Sequence, residues 1–332
     1  MKKLSSQKFP CLLKKLNFVS DGLSELFNRV FRKTQKLKLV LLLSFFLLFP
    51  VQNKDWYSSL SLGETPVRQM ASAAVKPQSI LESRGEAFPY LSAGGVYLFD
   101  LNSRTLFYSR NADKHFYPAS TTKIATALVA LNTYQDNDII NILPHPAQGQ
   151  VLGLQTGELY SFSNLFYGLL VQSGNDAAEV LAQAYPDGEQ AFIEKMNQLL
   201  FLLKLTDTHF ANPTGIDQWQ HYSSPHDLAL LADYALEKQE FSRAVSTKYY
   251  QISDTTGQHI INLENVNKLL GNYEGMAGVK TGWTELAGEC LVSLVKKDGR
   301  EIVGVVLQSS DRFGDTRKMM DWAQSNFFET TL

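Results

Sequence analysis

The stretch from residue 117 to 131 constrains the fold more than any other part of the chain. Residues 124–131 are apolar except for Thr126, and a helix that is apolar on nearly every side has to lie in a protein core. Lys123 stands at the head of this run, where a charged group is costly to bury without a partner or a task. Ser120 precedes it by three residues, so the hydroxyl and the amine share one helical face.

This spacing predicts that Ser120 lies in the first turn of a buried helix. A serine followed at the third position by a lysine is an arrangement in which the amine activates the hydroxyl as a nucleophile. The pattern by itself is a weak signal, because a motif of two fixed residues recurs often by chance. The rest of the chain therefore decides between a catalytic pair and an ordinary helix start.

The composition is that of an ordinary globular protein. The 332 residues, 44% of them apolar and 19% charged, are enough for one large domain or two average ones. The net charge of −2 gives no reason to expect a nucleic acid as a partner. Cys11 and Cys290 make no disulfide framework, and the six histidines form no compact ligand pair. We therefore expect neither a metal site nor a cofactor.

The N-terminal segment predicts attachment to a membrane. Residues 1–38 form a basic tail with helical apolar periodicity, which favours a segment on an anionic membrane surface over a solvated tail or a coiled coil. Residues 39–51 are thirteen uncharged, mostly apolar residues. This run is short for a spanning helix and also fits the core of a signal peptide.

No small-residue cleavage site follows this apolar run promptly; Ala71-Ser72-Ala73 lies well beyond it. We therefore expect an uncleaved single-pass anchor in the cell membrane, with secretion after signal cleavage as the alternative. In both cases the basic residues place the N-terminus in the cytoplasm and the rest of the chain outside.

The remaining chain predicts a linker followed by one folded domain. Residues 52–86 carry Ser, Gly, Pro and Gln without periodicity and predict an extracytoplasmic linker. We predict that residues 87–332 form the catalytic domain. Strand-like stretches predict two hairpins in it, the second around the turn signal Asp298-Gly299; the four strands are 95–100, 105–109, 290–295 and 301–307.

The pattern between the two hairpins is mostly helical. We predict a helix capped by Ser163, one that begins at Asp176, two more at 191–205 and 225–237, and a last helix from about Asp315. Strands at both ends with helices between them predict one mixed α/β domain, a single sheet with an inserted helical subdomain.

Two further motifs bear on the chemistry. Ser173-Gly174-Asn175 interrupts the helical pattern, and Lys280-Thr281-Gly282-Trp283 stands at the start of the C-terminal strands. Taken alone, the first is better explained as a helix–helix turn and the second as a surface loop with a solvated lysine. The order of Lys and Gly excludes a phosphate-binding loop.

Together the three motifs form a coherent acyl-transfer site. Ser120 supplies the nucleophile, and Lys123 is the base if burial and the charge of Lys280 lower its pKa. The hydroxyl of Ser173 passes a proton between an amine and the leaving group. Backbone amides of Ser120 and Trp283 are the expected oxyanion donors.

The other motif residues predict substrate binding. Asn175 offers a donor and an acceptor to a substrate amide. Lys280 and Thr281 offer a charge and a hydroxyl to a substrate carboxylate. Gly282 lets a peptide lie against the strand edge, next to Trp283.

These motifs, in this order, resemble the serine D-alanyl-D-alanine carboxypeptidases, the low-molecular-weight penicillin-binding proteins. The resemblance runs from about residue 94 to 326 and includes the Asn-Pro-Thr-Gly of 212–215 and the stretch 287–292. It implies a penicillin-binding, β-lactamase-like fold, an antiparallel sheet flanked by helices. It also implies an acyl-enzyme on Ser120, peptidoglycan stem peptides as substrate with loss of the terminal D-alanine, and β-lactams as covalent inhibitors.

Two departures from the family qualify this expectation. Many relatives carry a further β-domain and a C-terminal amphipathic anchor, whereas this chain stops after its last predicted helix; we therefore expect attachment through the N-terminal segment. Trp283 is bulky, which leaves the substrate fit at that edge open. We expect residues 212–215 to form a scaffolding turn, not a catalytic one.

Other functions on the same fold remain alternatives. They are a D,D-endopeptidase, a transpeptidase, a β-lactamase, and a non-enzymatic cell-wall-binding scaffold. A class A β-lactamase should carry a Glu-x-x-Leu-Asn stretch after Ser-x-Asn, and residues 194–199 do not match it. Three intact motifs argue against the scaffold.

Overall fold

The computed structural model describes residues 79–331. Within this range the chain forms eleven strands, which are Ser79–Ser83 (β1), Gly95–Asp100 (β2), Leu106–Arg110 (β3), Ile139–Asn141 (β4), Leu159–Ser161 (β5), Tyr249–Ser253 (β6), Ile260–Glu264 (β7), Met276–Thr284 (β8), Gly288–Lys297 (β9), Arg300–Ser309 (β10) and Phe327–Thr331 (β11).

The same part of the chain forms seven α-helices, which are Lys123–Leu131 (α1), Phe162–Leu170 (α2), Asn175–Gln183 (α3), Gly188–Leu202 (α4), Pro225–Leu236 (α5), Gln239–Ser246 (α6) and Arg312–Asn326 (α7). A 3₁₀ turn, Ala119–Thr122, leads directly into α1.

The centre of the domain is a five-stranded antiparallel sheet in the order β3-β2-β10-β9-β8. The hairpin β9–β10 turns at Asp298-Gly299, where both residues have positive φ, 51° and 78°. Such a turn matches the twist of the two strands, and glycine adopts it without steric cost. All helices except α7 lie between β3 and β8 in the chain, so the predicted mixed α/β domain with an inserted helical subdomain is confirmed.

Both faces of this sheet are buried. Cys290, Val292 and Leu294 of β9 pack into the same apolar cluster as α1 to α6. The alternate residues Leu291 and Val295 face the opposite way, into a cluster with α7. This alternation follows from the two-residue period of a strand. The helical subdomain therefore covers one face of the sheet and α7 covers the other.

Gly304 lets α7 lie close against the sheet. A Cβ atom on Gly304 would lie 2.5 Å from the terminal methyl of Met319 and 2.7 Å from that of Met320. Both methionines are fully buried, and each such side chain contributes about 1.5–3 kcal/mol to folding. The small residue on β10 is what makes room for them.

Several boundaries differ from the sequence predictions. The N-cap of α2 is Ser161, whose hydroxyl accepts from the N–H of Asn164, and the predicted cap Ser163 lies inside the helix. The last helix begins at Arg312 and not near Asp315, because Asp311 caps it by accepting from Gly314 N–H. The helix α6 and the hairpin β6–β7 were not predicted.

The N-terminal predictions fall largely outside the described residues. The tail 1–38 and the apolar segment 39–51 lie outside them, as does most of the linker 52–86. Strand β1 lies within that predicted linker and pairs with β11. In the described residues, no helix has the length and apolar character needed to cross a membrane.

Candidate active site

The three sequence motifs meet at a cleft of about 620 Å³ beside the edge strand β8. Ser120 comes from the 3₁₀ turn, Ser173 from just before α3, Asn175 from its first residue, and Thr281, Gly282 and Trp283 from β8. Lys123 and Lys280 lie behind this lining and are 0% and 2% exposed. The fold thus brings all eight predicted site residues together.

The turn that carries Ser120 is tightly constrained. Ala119 is fully buried and has a positive φ of 48°, a conformation that costs a non-glycine residue about 1–3 kcal/mol. Such strain persists only where the surroundings enforce it. One constraint is Gly215, at which a Cβ atom would lie only 1.9 Å from the carbonyl oxygen of Ala119.

Lys123 holds the centre of the site. Its Nζ lies 2.9 Å from Ser120 Oγ, 2.6 Å from Asn175 Oδ1 and 2.7 Å from the carbonyl oxygen of Thr214. When the amine is neutral, its two N–H groups can serve the amide and carbonyl oxygens, which accept only. The nitrogen lone pair then points at the hydroxyl of Ser120.

Burial allows the amine of Lys123 to be neutral at physiological pH. Desolvation lowers the pKa of Lys123 to about 7, against the opposing influence of the carboxylates of Asp176 and Glu179. The sequence also predicted that Lys280 would lower this pKa. Lys280 is not among the causes of the Lys123 shift, whereas the charge of Lys123 is among the causes of the Lys280 shift. Burial and then the charges of Lys123 and Arg312 hold the pKa of Lys280 well below its ordinary value.

Ser173 is the partner of the second lysine. Lys280 Nζ donates to Ser173 Oγ at 2.7 Å and to the carbonyl oxygen of Thr281 at 3.1 Å. Ser173 is buried and has a positive φ of 64°, which turns its hydroxyl toward the cleft that it lines. A hydroxyl held by a buried amine can accept one proton while it gives another.

Asn175 is engaged more by the protein than the sequence suggested. Its Oδ1 accepts from Lys123, and one N–H of its amide donates to the carbonyl oxygen of Gln148. The amide therefore orients the lysine and also joins the loop of Gln148 to the wall of the cleft. Its other amide N–H has no hydrogen-bond partner among residues 79–331.

Gly282 allows β8 to approach the nucleophile turn, which is the 3₁₀ turn Ala119–Thr122 that carries Ser120. A Cβ atom at Gly282 would lie 2.9 Å from Ala119 Cβ and 3.0 Å from Ser120 N. Because β8 is an edge strand, its outer backbone groups are available to a peptide. Trp283, 63% exposed, stands at the mouth of the cleft.

Sequence reasoning missed the backbone and charged groups that complete the site. Residues 212–215 form the expected turn, in which Asn212 Oδ1 accepts from the N–H groups of Thr214 and Gly215. The turn also presents the carbonyl of Thr214 to Lys123, a contact that no side-chain pattern encodes. Asp217 accepts from Thr284 Oγ1 at 2.7 Å and ties this loop to the end of β8.

Arg312 adds a positive charge that no motif signalled. It lines the cleft, and its Nη1 donates to the carbonyl oxygen of Gly282 at 2.7 Å. Its buried Nε has no hydrogen-bond partner among residues 79–331. With Lys280 and Thr281, it makes this end of the cleft suited to a carboxylate.

Comparison with known proteins agrees with this geometry. Residues 83–311 match the peptidase S11 family, described as D-alanyl-D-alanine carboxypeptidase. The D-alanyl-D-alanine carboxypeptidase DacF of Bacillus subtilis is 31% identical over 71% of this chain and 63% of its own length. The D-alanyl-D-alanine carboxypeptidase of Streptomyces strain K15 is 33% identical over 70% of this chain and 88% of its own.

A solved structure agrees as well. The crystal structure of the Streptomyces K15 DD-transpeptidase superposes with a TM-score of 0.67 at 32% identity, and covers 72% of this chain and 100% of that one. The resemblance and the penicillin-binding fold predicted from the sequence are thereby confirmed. The chain is a serine peptidase that belongs to the D-alanyl-D-alanine carboxypeptidase family.

Proposed function

We propose that this chain removes the terminal D-alanine from peptidoglycan stem peptides through an acyl-enzyme on Ser120. The observation that carries the proposal is the 2.9 Å contact between Ser120 Oγ and the buried Nζ of Lys123, whose pKa is lowered to about 7. A base with a pKa near the working pH is the best compromise between being unprotonated and accepting a proton.

Acylation follows from this pair. Ser120 Oγ attacks the carbonyl carbon of the penultimate D-alanine, and Lys123 takes the hydroxyl proton. The oxyanion is stabilised by the N–H groups of Ser120 and Trp283. As the intermediate collapses and the C–N bond breaks, the proton that Lys123 took passes through the hydroxyl of Ser173 to the amine of the leaving D-alanine, which leaves Lys123 neutral again. The carboxylate of this D-alanine is held by Lys280 and Thr281.

Deacylation uses the same groups in reverse. Water enters the vacated leaving-group position and gives a proton to Lys123 as its oxygen bonds to the acyl carbon. Ser120 recovers its proton when the ester bond breaks, and the shortened peptide leaves with a new carboxylate. β-Lactams, which imitate the terminal dipeptide, are expected to acylate Ser120 by the first half of this sequence.

The direct test is the release of D-alanine from a pentapeptide that ends in D-Ala-D-Ala. We expect hydrolysis by the wild type and none above background by Ser120→Ala, since the variant has no nucleophile to acylate. Equal rates for the two proteins would contradict the proposal. A cross-linked peptide dimer, offered in parallel, distinguishes the alternative of a D,D-endopeptidase, which would cleave the dimer faster than the pentapeptide.

Transpeptidation is a second candidate, because the related Streptomyces K15 structure is named a DD-transpeptidase. The acyl-enzyme would then pass to an amine in place of water. Addition of a D-amino acid as acceptor separates the two reactions. A transpeptidase would convert most of the acyl-enzyme to the amide product, whereas a carboxypeptidase would continue to form the hydrolysed peptide.

We further propose that the domain acts outside the cytoplasmic membrane, held there by residues 39–51. The apolar run and the basic residues before it support this orientation. Sequencing of the mature protein from a membrane fraction should find an N-terminus at or near Met1. A mature start near Ala74 would show cleavage and contradict the anchor.

A further inference from the structure

We propose that His221 is a positioning residue that acts through Thr122 to aim the N–H of Ser120 into the cleft. The inference rests on the proposed acyl-enzyme at Ser120 and adds a residue behind the site to it. His221 is 1% exposed and packs against Phe210, with ring centroids 5.4 Å apart. It contacts the 3₁₀ turn through Thr122 and is not among the residues that line the cleft.

The hydrogen bonds of His221 fix the position of its proton. Its Nδ1 lies 3.0 Å from the backbone N of Ala211, and an N–H can only donate. Nδ1 is therefore the acceptor, and in the neutral ring Nε2 carries the hydrogen. Burial lowers the pKa of His221 to about 3, so the ring remains in this neutral tautomer across the working range.

Thr122 carries the bond onward to the backbone. Nε2 of His221 donates to Thr122 Oγ1 at 2.9 Å, and this hydroxyl donates to the carbonyl oxygen of Ala119 at 2.8 Å. All three groups are buried. Each hydrogen bond in this chain can therefore run in only one donor-to-acceptor direction, from the imidazole to the hydroxyl and from the hydroxyl to the carbonyl.

The carbonyl of Ala119 and the N–H of Ser120 belong to one planar trans peptide unit and point in opposite directions. A bond that holds the carbonyl toward Thr122 therefore also fixes the N–H in the opposite direction. In the proposed arrangement that direction is toward β8, where a Cβ built on Gly282 would lie 3.0 Å from Ser120 N. The positive φ of Ala119, 48°, makes this anchoring necessary.

The neighbouring threonine offers a matched control. Thr121 is also fully buried, and its Oγ1 donates to the carbonyl oxygen of Pro118 at 2.7 Å. That carbonyl belongs to the preceding peptide unit, which does not carry the N–H of Ser120. Thr122→Val and Thr121→Val thus each remove one hydroxyl-to-carbonyl bond from adjacent residues of one turn, and Thr122→Val also removes the acceptor of His221 Nε2.

The experiment compares the two variants in acylation by benzylpenicillin and in affinity for a peptidyl boronic acid that ends in boro-D-alanine. The boronate forms a tetrahedral adduct that needs the oxyanion donors. We expect Thr122→Val to lose about 10- to 100-fold in both, somewhat less than outright removal of one oxyanion donor. Thr121→Val should stay within about 3-fold of wild type, and KM for a D-Ala-D-Ala peptide should change little in either.

Variants of the histidine complete the test. His221→Gln keeps a donor on a side chain of similar reach and should recover much of the acylation rate, whereas His221→Leu should behave like Thr122→Val. Thermal unfolding of every variant shows whether a loss of acylation comes from a misdirected Ser120 N–H or from a loss of folded protein. Equal acylation by Thr122→Val and Thr121→Val, with wild type acylated normally, would overturn this inference alone. A wild type that is not acylated would instead refute the proposed function.

Discussion

A Lys123→Met variant is expected to be acylated by benzylpenicillin about 100- to 10,000-fold more slowly than wild type, the range that a general base contributes. Methionine has a similar length but no lone pair to take the proton of Ser120. In wild type, acylation should rise with pH as Lys123 loses its proton near pH 7. The variant should lack this rise.

The same substitution should change how stability depends on pH. The pKa of Lys123 is about 7 in the folded chain and 10.5 in the reference state, so the unfolded chain binds the proton more tightly between these values. The contribution of Lys123 to stability therefore falls as pH is lowered from 10.5 to 7 and is constant below 7. Lys280 is shifted in the same direction, and burial, the first cause of its shift, acts in both proteins.

Urea unfolding at several pH values between 7.5 and 10 measures this difference. The slope of unfolding free energy against pH should be smaller in Lys123→Met by about 1.4 kcal/mol per pH unit. Lys195, exposed on α4, provides the control, and Lys195→Met should match wild type in both assays. Unchanged acylation in Lys123→Met would remove the lysine from the mechanism.

Gly215→Ala is expected to lose at least about 100-fold in acylation rate, because a displacement of about 1 Å at a reacting group costs that much. The added Cβ would lie 1.9 Å from the carbonyl oxygen of Ala119 and 2.9 Å from Ser120 N. These are backbone atoms of the nucleophile turn, so the turn itself has to move. Unfolding should also occur at lower urea concentration.

Gly157→Ala is the matched control for this change. Gly157 has a φ of +93°, against +90° for Gly215, and a Cβ there would meet nothing within 4 Å. Both variants are destabilised by about 1–3 kcal/mol because alanine is placed in the left-handed region. Only in Gly215→Ala does the new Cβ also clash with the backbone of Ala119. If the two acylate at equal rates, the packing of Gly215 does not position the nucleophile.

The sequence predicted those parts of the fold that local chemistry encodes. The Asp298-Gly299 turn specifies its hairpin because few residue pairs adopt two positive φ angles. The hairpin β6–β7 was not predicted, although 250–253 and 261–264 alternate apolar and polar residues. The alternation lasts only two periods in each strand, and only one residue of each strand is fully buried. Pairing between β1 and β11 joins opposite ends of the described chain, and no local pattern reports such a contact.

At the site, too, local chemistry could be predicted from the sequence, whereas contacts set by the fold could not. Side chains with distinctive chemistry, such as Ser120, Lys123 and Lys280, could be found because their order matches one mechanism. The carbonyls of Thr214 and Gln148 could not, since every residue has a carbonyl and only the fold decides which ones accept from Lys123 and Asn175. Arg312 reaches the cleft from the start of α7, far from the three motifs in the chain.

The most direct measurement is the site of covalent attachment of benzylpenicillin to the full chain, determined by intact mass and then by peptide mass spectrometry. We expect one adduct per chain, on the peptide that contains Ser120. Ser120→Ala should bear none while it keeps a cooperative unfolding transition. An adduct on Ser173 or another residue, or labelling of Ser120→Ala at the wild-type level, would contradict the account.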